Sequence, residues 1–486
     1  MPRPSNAVGV SPRAPSVSSR ASDVIVLGAG FAGLSAAVRL AAAGRRVLVL
    51  EARGRLGGRA TAFDDRETGY RVDNGQHVLA GCYHETFRFL DAIGARDRVA
   101  LQDSLDVAFI DRTGNRSRLR CPRLPAPWHL AAGVARWSGI GWRDRLPLAR
   151  LGGALKPGAA PPPPGETVAA WLGRLRQTPR MVEMLWEPLA VAALNQGIQH
   201  ALAPPFVRVL AQMFTGAPRD AALGMTATPL DEMYAEPARA FIESRGGEVR
   251  VNALARVAVR GGRVESISVR GDALALPAAV VVAVPWFGLA GLFQDPDGTL
   301  APLLAAAAGT AASPIVTVNL WLDRQVLPDA FVGLPGRTMQ WVFDTSQIRR
   351  PGMTPESMGR NPASTPESSR FHLSLVSSGA DAVLRQSNDE LIALAWRELR
   401  EALPEAAAAT LARATVVREP QASFSLAPGQ PARPGTRTAV AGLFLAGDWV
   451  DTGLPATIES AVVAGHRAAD DILSGRAQHD APAPAR

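Results

Sequence analysis

Val24-Ile-Val-Leu-Gly28-Ala-Gly30-Phe31-Ala32-Gly33, then an alanine-rich stretch, then Arg46-Val-Leu-Val-Leu-Glu51: this segment decides the fold. The apolar run 24–27 is too short for a buried helix and suits a central parallel strand. Gly28 permits a tight turn, Gly30 admits a close backbone approach, and Gly33 lets the next helix pack on the strand. A pyrophosphate then meets the unpaired N–H groups of that helix's first turn. Glu51 closes the second strand 18 residues beyond Gly33, where a carboxylate accepts from a ribose hydroxyl. Strand, glycine turn, helix, strand and carboxylate together predict an α/β, doubly wound, Rossmann-like dinucleotide-binding domain.

Two further elements narrow the dinucleotide to FAD. Leu56-Gly57-Gly58-Arg59 follows directly, and Gly447-Asp448-Trp-Val-Asp-Thr-Gly-Leu-Pro-Ala-Thr457-Ile458-Glu459 lies almost 400 residues later. FAD is long enough to need both. Asp448 can accept from ribityl hydroxyls, and the helix start at Thr457 and Ile458 can face the flavin C2 carbonyl, where the helix dipole favours negative charge. Arg59 can neutralise phosphate or brace the flavin. The expected cofactor contacts are Gly28, Gly30, Phe31, Ala32, Gly33, Glu51, Ala52, Arg53, Gly57, Gly58, Arg59, Val257, Gly447, Asp448, Thr457 and Ile458.

At 486 residues the chain can hold more than one sizeable core. Its two cysteines, Cys82 and Cys121, lack metal-ligand spacing and are too few for a disulfide scaffold, so no metal is expected. The formal charge of +8 rests almost wholly on arginine, because Lys156 is the one lysine. With abundant Ala, Gly and Pro, this reads as a coding bias, and with no aromatic-basic motif it does not point to nucleic acid. Schiff-base chemistry would have to fall on Lys156, beside the linker-like Pro161-Pro-Pro-Pro164, which argues against lysine catalysis.

Residues 1–21 read as a disordered leader and 476–486 as a disordered tail. Residues 273–294 are apolar for long enough to suggest a span, but Pro277 and Pro285 would break it, and 280–284 reads as a buried strand. The FAD-binding domain is expected from residues 22–84, 236–289 and 421–475. An α+β substrate domain is expected from 85–235 and 290–420. Within them, 257–259 and 263–269 read as a hairpin turning at Gly261-Gly262, 315–322, 341–343 and 371–376 as strands, 351–369 as a flexible loop, and 455–473 as a helix with Pro455 at its start.

The combination of G-x-G-x-x-G, acid, G-G-R and a C-terminal G-D resembles the flavoprotein family of amine oxidases, phytoene desaturases and protoporphyrinogen oxidases. Asp73-Asn-Gly-Gln-His77-Val-Leu, Leu194-Asn195, Met339-Gln-Trp-Val-Phe-Asp344 and Gly453-Leu-Pro-Ala-Thr-Ile-Glu-Ser460 resemble more narrowly the bacterial hydroxysqualene dehydroxylases, formerly called squalene-associated FAD-dependent desaturases. That resemblance implies reduction of hydroxysqualene to squalene, the last step of a three-enzyme route from farnesyl diphosphate toward hopanoids. Hydride would pass from reduced flavin N5 to the allylic carbon as the hydroxyl leaves. The implied partners are a hydrophobic isoprenoid substrate, upstream squalene-pathway synthases and an electron donor that the sequence does not identify.

Hydroxide is a poor leaving group, so a proton donor or strong polariser is needed. His77, Tyr83 and His84 are the candidates, with Asp451 and Glu459 beside the C-terminal helix. His77 could equally serve backbone or phosphate, His84 a helix start, and Glu459 a structural role. A thirty-carbon substrate belongs in a bilayer, since burying it is worth on the order of 20 kcal/mol. The protein is therefore expected in the cytoplasm, peripherally on the inner face of the membrane. Residues 116–150 offer a docking segment, with eight arginines interleaved with Trp128, Trp137 and Trp142 and Asp144 as its one acid. A carotenoid-type desaturase would use the same cofactor site in the oxidative direction. Amine oxidation is disfavoured by the missing lysine and by the scarcity of tyrosine (Tyr70, Tyr83 and Tyr234) for an aromatic cage. Rab escort and GDP-dissociation-inhibitor proteins resemble the fold without flavin chemistry, but the retained Gly447-Asp448 and Thr457-Ile458 argue for a working flavin.

Overall fold

The computed structural model describes residues 22–65, 71–156, 158–294, 296–348 and 371–475. The readings of 1–21, 351–369, 476–486 and Tyr70 lie outside these. Five strands form one parallel sheet in the order Glu248–Arg250, Val47–Leu50, Val24–Leu27, Ala279–Val282 and Leu443–Leu445. In the inner three and in Leu443–Leu445 every residue is buried, as expected of strands covered on both faces. Three remote stretches of sequence thus build one nucleotide-binding sheet.

Two helices lock that sheet together. Phe31–Ala42 begins at the glycine turn and is buried along most of its length, without a polar face. Ile458–Leu473 packs across it so closely that a Cβ on Gly465 would stand 2.3 Å from the Ala32 carbonyl oxygen. The helix starts at Ile458 and not at Pro455, because the Thr457 hydroxyl accepts from the Ser460 N–H and caps it there.

The hairpin is present: Ala255–Arg260 and Arg263–Val269 pair antiparallel, with Gly261 and Gly262 both at positive φ. The substrate side is a seven-stranded sheet in the order Leu411–Phe424, Ala312–Leu322, Phe371–Ser378, Trp341–Asp344, Phe331–Gly333, Asp106–Ile110 and Arg116–Arg120. One face packs Val316, Val318, Leu320 and Leu375 against the helix Asn388–Ala402. The other face is turned toward the nucleotide-binding sheet.

The expected domain limits fall inside structural units at three places. Leu411–Phe424 runs unbroken through 420/421. Val78–Ala80 pairs with Leu223–Thr226 across the first limit. Tyr234 belongs to the nucleotide side, stacking on Phe31 with ring centroids 3.6 Å apart.

The docking segment is not one amphipathic element. Arg116–Arg120 is an edge strand whose arginines pair with Glu405, Asp106 and Asp329. Trp137 is fully buried, donating to the Ser117 hydroxyl, so it cannot face a membrane. Trp128 and Trp142 are 66 % and 64 % exposed, with Leu124 and Leu146 also exposed nearby in sequence. Among the described residues no helix is long and apolar enough to cross a membrane, and residues 280–284 hold a buried strand end and the approach to a short helix at Trp286–Leu289.

Candidate active site

The site is built from the glycine turn outward. Gly28 has φ +108°, and a Cβ there would lie 2.5 Å from the Ala283 carbonyl oxygen. A Cβ on Gly33 would lie 1.9 Å from the Gly28 carbonyl oxygen. Both glycines are therefore demanded by the protein's own packing. Gly30 differs: its nearest neighbour for a Cβ is 3.8 Å away, and the space before it belongs to a cavity. That open space leaves room for a ligand to approach the backbone, the role expected of this glycine.

Gly57 and Gly58 bring the second loop against the first. The Gly57 N–H donates to the Ala29 carbonyl at 2.9 Å, and Gly58 sits against Gly30 at left-handed φ, where a side chain would strain the backbone. Tyr234, which the sequence reading did not single out, braces this loop by donating to the Gly57 and Ala60 carbonyls at 2.8 and 3.2 Å. Buried Glu51 accepts from the Ala29 and Arg53 N–H groups, both at 2.9 Å, which orients the carboxylate at the strand end.

Arg59 ties the three sequence segments into one site. It donates to Asp448 Oδ1 at 2.5 Å and to the Ala422 carbonyl at 2.8 Å, and its guanidinium lies over the Trp286 ring. Asp448 is only 7 % exposed. Gly447 lies at positive φ beside the Trp449 ring, which leaves no room for a side chain.

These groups surround a cavity of about 660 Å³. Its walls include Gly28, Gly30, Phe31, Ala32, Glu51, Ala52, Arg53, Gly57, Gly58, Arg59, Gly447, Asp448, Thr457 and Ile458. Two expected contacts stand elsewhere. Gly33 packs inside the turn, and Val257 is fully buried in the core and does not line the cavity, which its strand reaches through Ala255 and Arg256. The open space before Gly30, the oriented carboxylate and the capped helix start fit FAD.

Of the candidate proton carriers, His77 and Tyr83 line the cavity and His84 does not. The His84 side chain is 63 % exposed and meets Asp220 at 2.9 Å, at the start of the helix His84–Ala92. His77 Nδ1 lies 3.0 Å from the Gly75 carbonyl, which can only accept, so Nδ1 carries the proton and Nε2 is an acceptor. Burial and, more weakly, the Arg59 charge hold its pKa below the ordinary value. Burial pushes the Tyr83 phenol well up, so it stays neutral, and its hydroxyl meets Thr457. Glu459 is structural: it accepts from the Glu85 and Thr86 N–H groups and the Thr86 hydroxyl, capping the helix that begins at His84. Asp451 is exposed and holds Arg433 and the Gly453 N–H.

The cavity continues under the seven-stranded sheet, where Ile315, Thr317, Val376, Ser378, Val417 and Glu419 line it. Asn74 joins the two halves, donating to the Arg59 carbonyl at 3.1 Å and to Glu419 Oε2 at 3.2 Å. Neither Asn74 nor Glu419 was singled out beforehand. Asn74 stood unassigned within the 73–79 motif, and Glu419 shows only as an acid on the register of Val417. Among the described residues no cluster of ligands could hold a metal ion.

Residues 31–473 match the model of the flavin-containing amine oxidoreductases. The chain is 30 % identical to a hydroxysqualene dehydroxylase of Rhodopseudomonas palustris, over 93 % of this chain and 99 % of that one. It is 25 % identical to a 15-cis-phytoene desaturase of Narcissus pseudonarcissus, over 93 % and 79 %. Among solved structures, the cyclohexylamine oxidase of Brevibacterium oxydans has the same fold, with a TM-score of 0.66 at 16 % identity over 94 % of this chain and all of that one.

Proposed function

The chain belongs to the flavin-containing amine oxidoreductases and is an FAD-dependent oxidoreductase, and from that premise we propose that it reduces hydroxysqualene to squalene. The observation that carries this reading is the full-length likeness to proteins named hydroxysqualene dehydroxylase, at 28–30 % identity over 92–93 % of this chain. The cavity supports it chemically. On its substrate side Ile315, Val376 and Val417 supply apolar wall for a hydrocarbon chain, and Thr317, Ser378 and Glu419 supply polar groups among them.

Bound and reduced, FAD supplies the hydride and its electron pair. The protein's own residues do the rest. The glycine turn and the start of Ile458–Leu473 hold the cofactor, and Arg59 with Asp448 fixes the junction between cofactor and substrate sides. A substrate that fills the cavity displaces water, and charge developing on the departing oxygen is then met by protein groups. His77 Nε2 offers an acceptor and Tyr83 a neutral hydroxyl at that boundary.

A substrate of this kind resides in lipid, and we place its pickup at a membrane surface through Trp128, Trp142, Leu124 and Leu146. Exposed Arg136, Arg143 and Arg150 in the same segment supply positive charge toward anionic headgroups. The second reading, a phytoene-type desaturase, draws on the 25 % identical plant relatives.

One anaerobic experiment separates them. The flavin is reduced, hydroxysqualene is added in detergent, and flavin absorbance and extracted products are followed. Reoxidation with squalene appearing is the expected result. A flavin that stays reduced refutes the dehydroxylation and directs the test to oxidised protein with polyene precursors.

A further inference from the structure

We propose that Glu419 is the acid that protonates the departing oxygen, an inference that rests on the dehydroxylation proposed above. The position follows from strand register. Ile315 pairs with Glu419 and with Ser378, and Thr317 with Val417 and Val376, so these six side chains share one face of the sheet. These six line the cavity, and Glu419 is the one titratable group among them.

Three carboxylates line the cavity among the described residues: Glu51, Asp448 and Glu419. The first two are committed. Glu51 is held by two backbone N–H groups and Asp448 by the Arg59 guanidinium. Among the described residues Glu419 has no cationic partner and accepts a single hydrogen bond, from Asn74 to Oε2. The Asn74 amide orientation is settled by its other contact, because the Arg59 carbonyl can only accept and must face the amide nitrogen. Oε2 is therefore an acceptor, and a proton on this carboxyl sits on Oε1, which has no hydrogen-bond partner among the described residues.

The other side chains are less suited. His77 carries its proton on the nitrogen that faces Gly75, His84 stands outside the cavity, and the Tyr83 hydroxyl is engaged by Thr457. Glu419 is half-buried at the cavity wall, and an apolar substrate that fills the cavity displaces water from it. The step then balances. The carbon–oxygen bond breaks with its electron pair on oxygen, and Glu419 Oε1 gives the proton that turns the leaving group into water. Carbon receives the hydride that the reduced cofactor supplies, and Glu419 is left as a carboxylate.

The test uses the full chain loaded with FAD, wild type and Glu419→Gln, and two substrates: hydroxysqualene and its allylic chloride, whose leaving group needs no proton. Glutamine keeps an oxygen for Asn74, so flavin content and melting temperature should match wild type. With hydroxysqualene, flavin reoxidation should slow by ~10²–10⁴-fold. With the chloride, the two proteins should stay within about threefold of each other on the same reasoning. Independently of turnover, adding squalene to flavin-free wild type should raise the infrared carbonyl band of a protonated carboxyl, and E419Q should lack it. Should glutamine prevent folding, Glu419→Asp, which keeps the acid on a shorter stem, takes its place and should show a smaller loss confined to the alcohol. Equal losses with both substrates, or an unchanged rate with hydroxysqualene, overturn the assignment while wild-type turnover stands. A wild type that fails with both substrates overturns the parent reading and this one with it.

Discussion

Replacing Asp448 by alanine removes the carboxylate that pairs with Arg59 at the junction of three chain segments. The pair is short, 2.5 Å, and its side chains are 10 % and 26 % exposed, so solvent screens it only partly. A charge-assisted hydrogen bond in such a setting contributes about 1.5–3 kcal/mol. Arg59 keeps the Ala422 carbonyl and the Trp286 ring, so the loss to the chain's own stability should be smaller, about 1 kcal/mol. If Asp448 accepts from the cofactor as its position implies, the remainder appears in affinity as roughly a ten- to hundredfold rise in the FAD Kd. Flavin-free protein is titrated with FAD and followed by quenching of flavin fluorescence, with a parallel thermal melt of the flavin-free form. Asp448→Asn separates charge from acceptor, because its amide oxygen still accepts while the ion pair is lost, so its Kd should fall between wild type and alanine. An alanine variant that binds FAD within twofold of wild type, or whose whole defect appears in the flavin-free melt, refutes the placement of Asp448 at the cofactor.

Three further outcomes are expected. Gly33→Ala should destabilise the flavin-free protein by at least ~1–3 kcal/mol through overlap with the Gly28 carbonyl. Gly30→Ala should leave that melt unchanged and weaken FAD binding, and the reverse pattern would undo the assigned glycine roles. Removing Trp128 and Trp142 together should weaken partition onto anionic liposomes by about two orders of magnitude, if each ring buries ~60 Å² at ~25 cal/mol/Å². Trp137 is a core residue, so Trp137→Ala should instead lower the melting temperature, and unchanged liposome binding in the double variant would remove the docking face. Burial lowers the pKa of His77 and of His129, so the unfolded chain binds more protons below the ordinary histidine value. Their contribution is therefore complete above about pH 6.5 and is lost as pH falls, by up to ~1.4 kcal/mol per unit for each group. His129→Phe should flatten the acid side of the stability curve, and an unaltered slope would count against this account.

The nucleotide-binding unit was legible in the sequence because its signals are local. A strand, a glycine turn and a helix are written within 20 residues, and a strand buried on both faces is a run of apolar residues wherever it stands. The hairpin at Gly261-Gly262 was legible for the same reason, since two adjacent positive-φ positions admit few other residues. The docking segment misled because exposure is not a local property. Trp128, Trp137 and Trp142 look alike in a list, yet packing buries one of them completely.

Sequence by itself determined the α/β class, the glycine turn, the carboxylate of Glu51 and the two remote FAD elements, each of which follows from backbone conformation and short-range spacing. Tertiary structure alone decided which side chains share the cavity. Val257 turned inward and His84 turned out, Tyr234 came to brace Gly57, and Glu419 met Asn74 across 345 positions of chain. A strand shifted by one residue would carry Glu419 to the other face of its sheet, and nothing within the strand's own sequence sets that register. It is set by pairing with Ala312–Leu322 and by the packing of the opposite face on Asn388–Ala402.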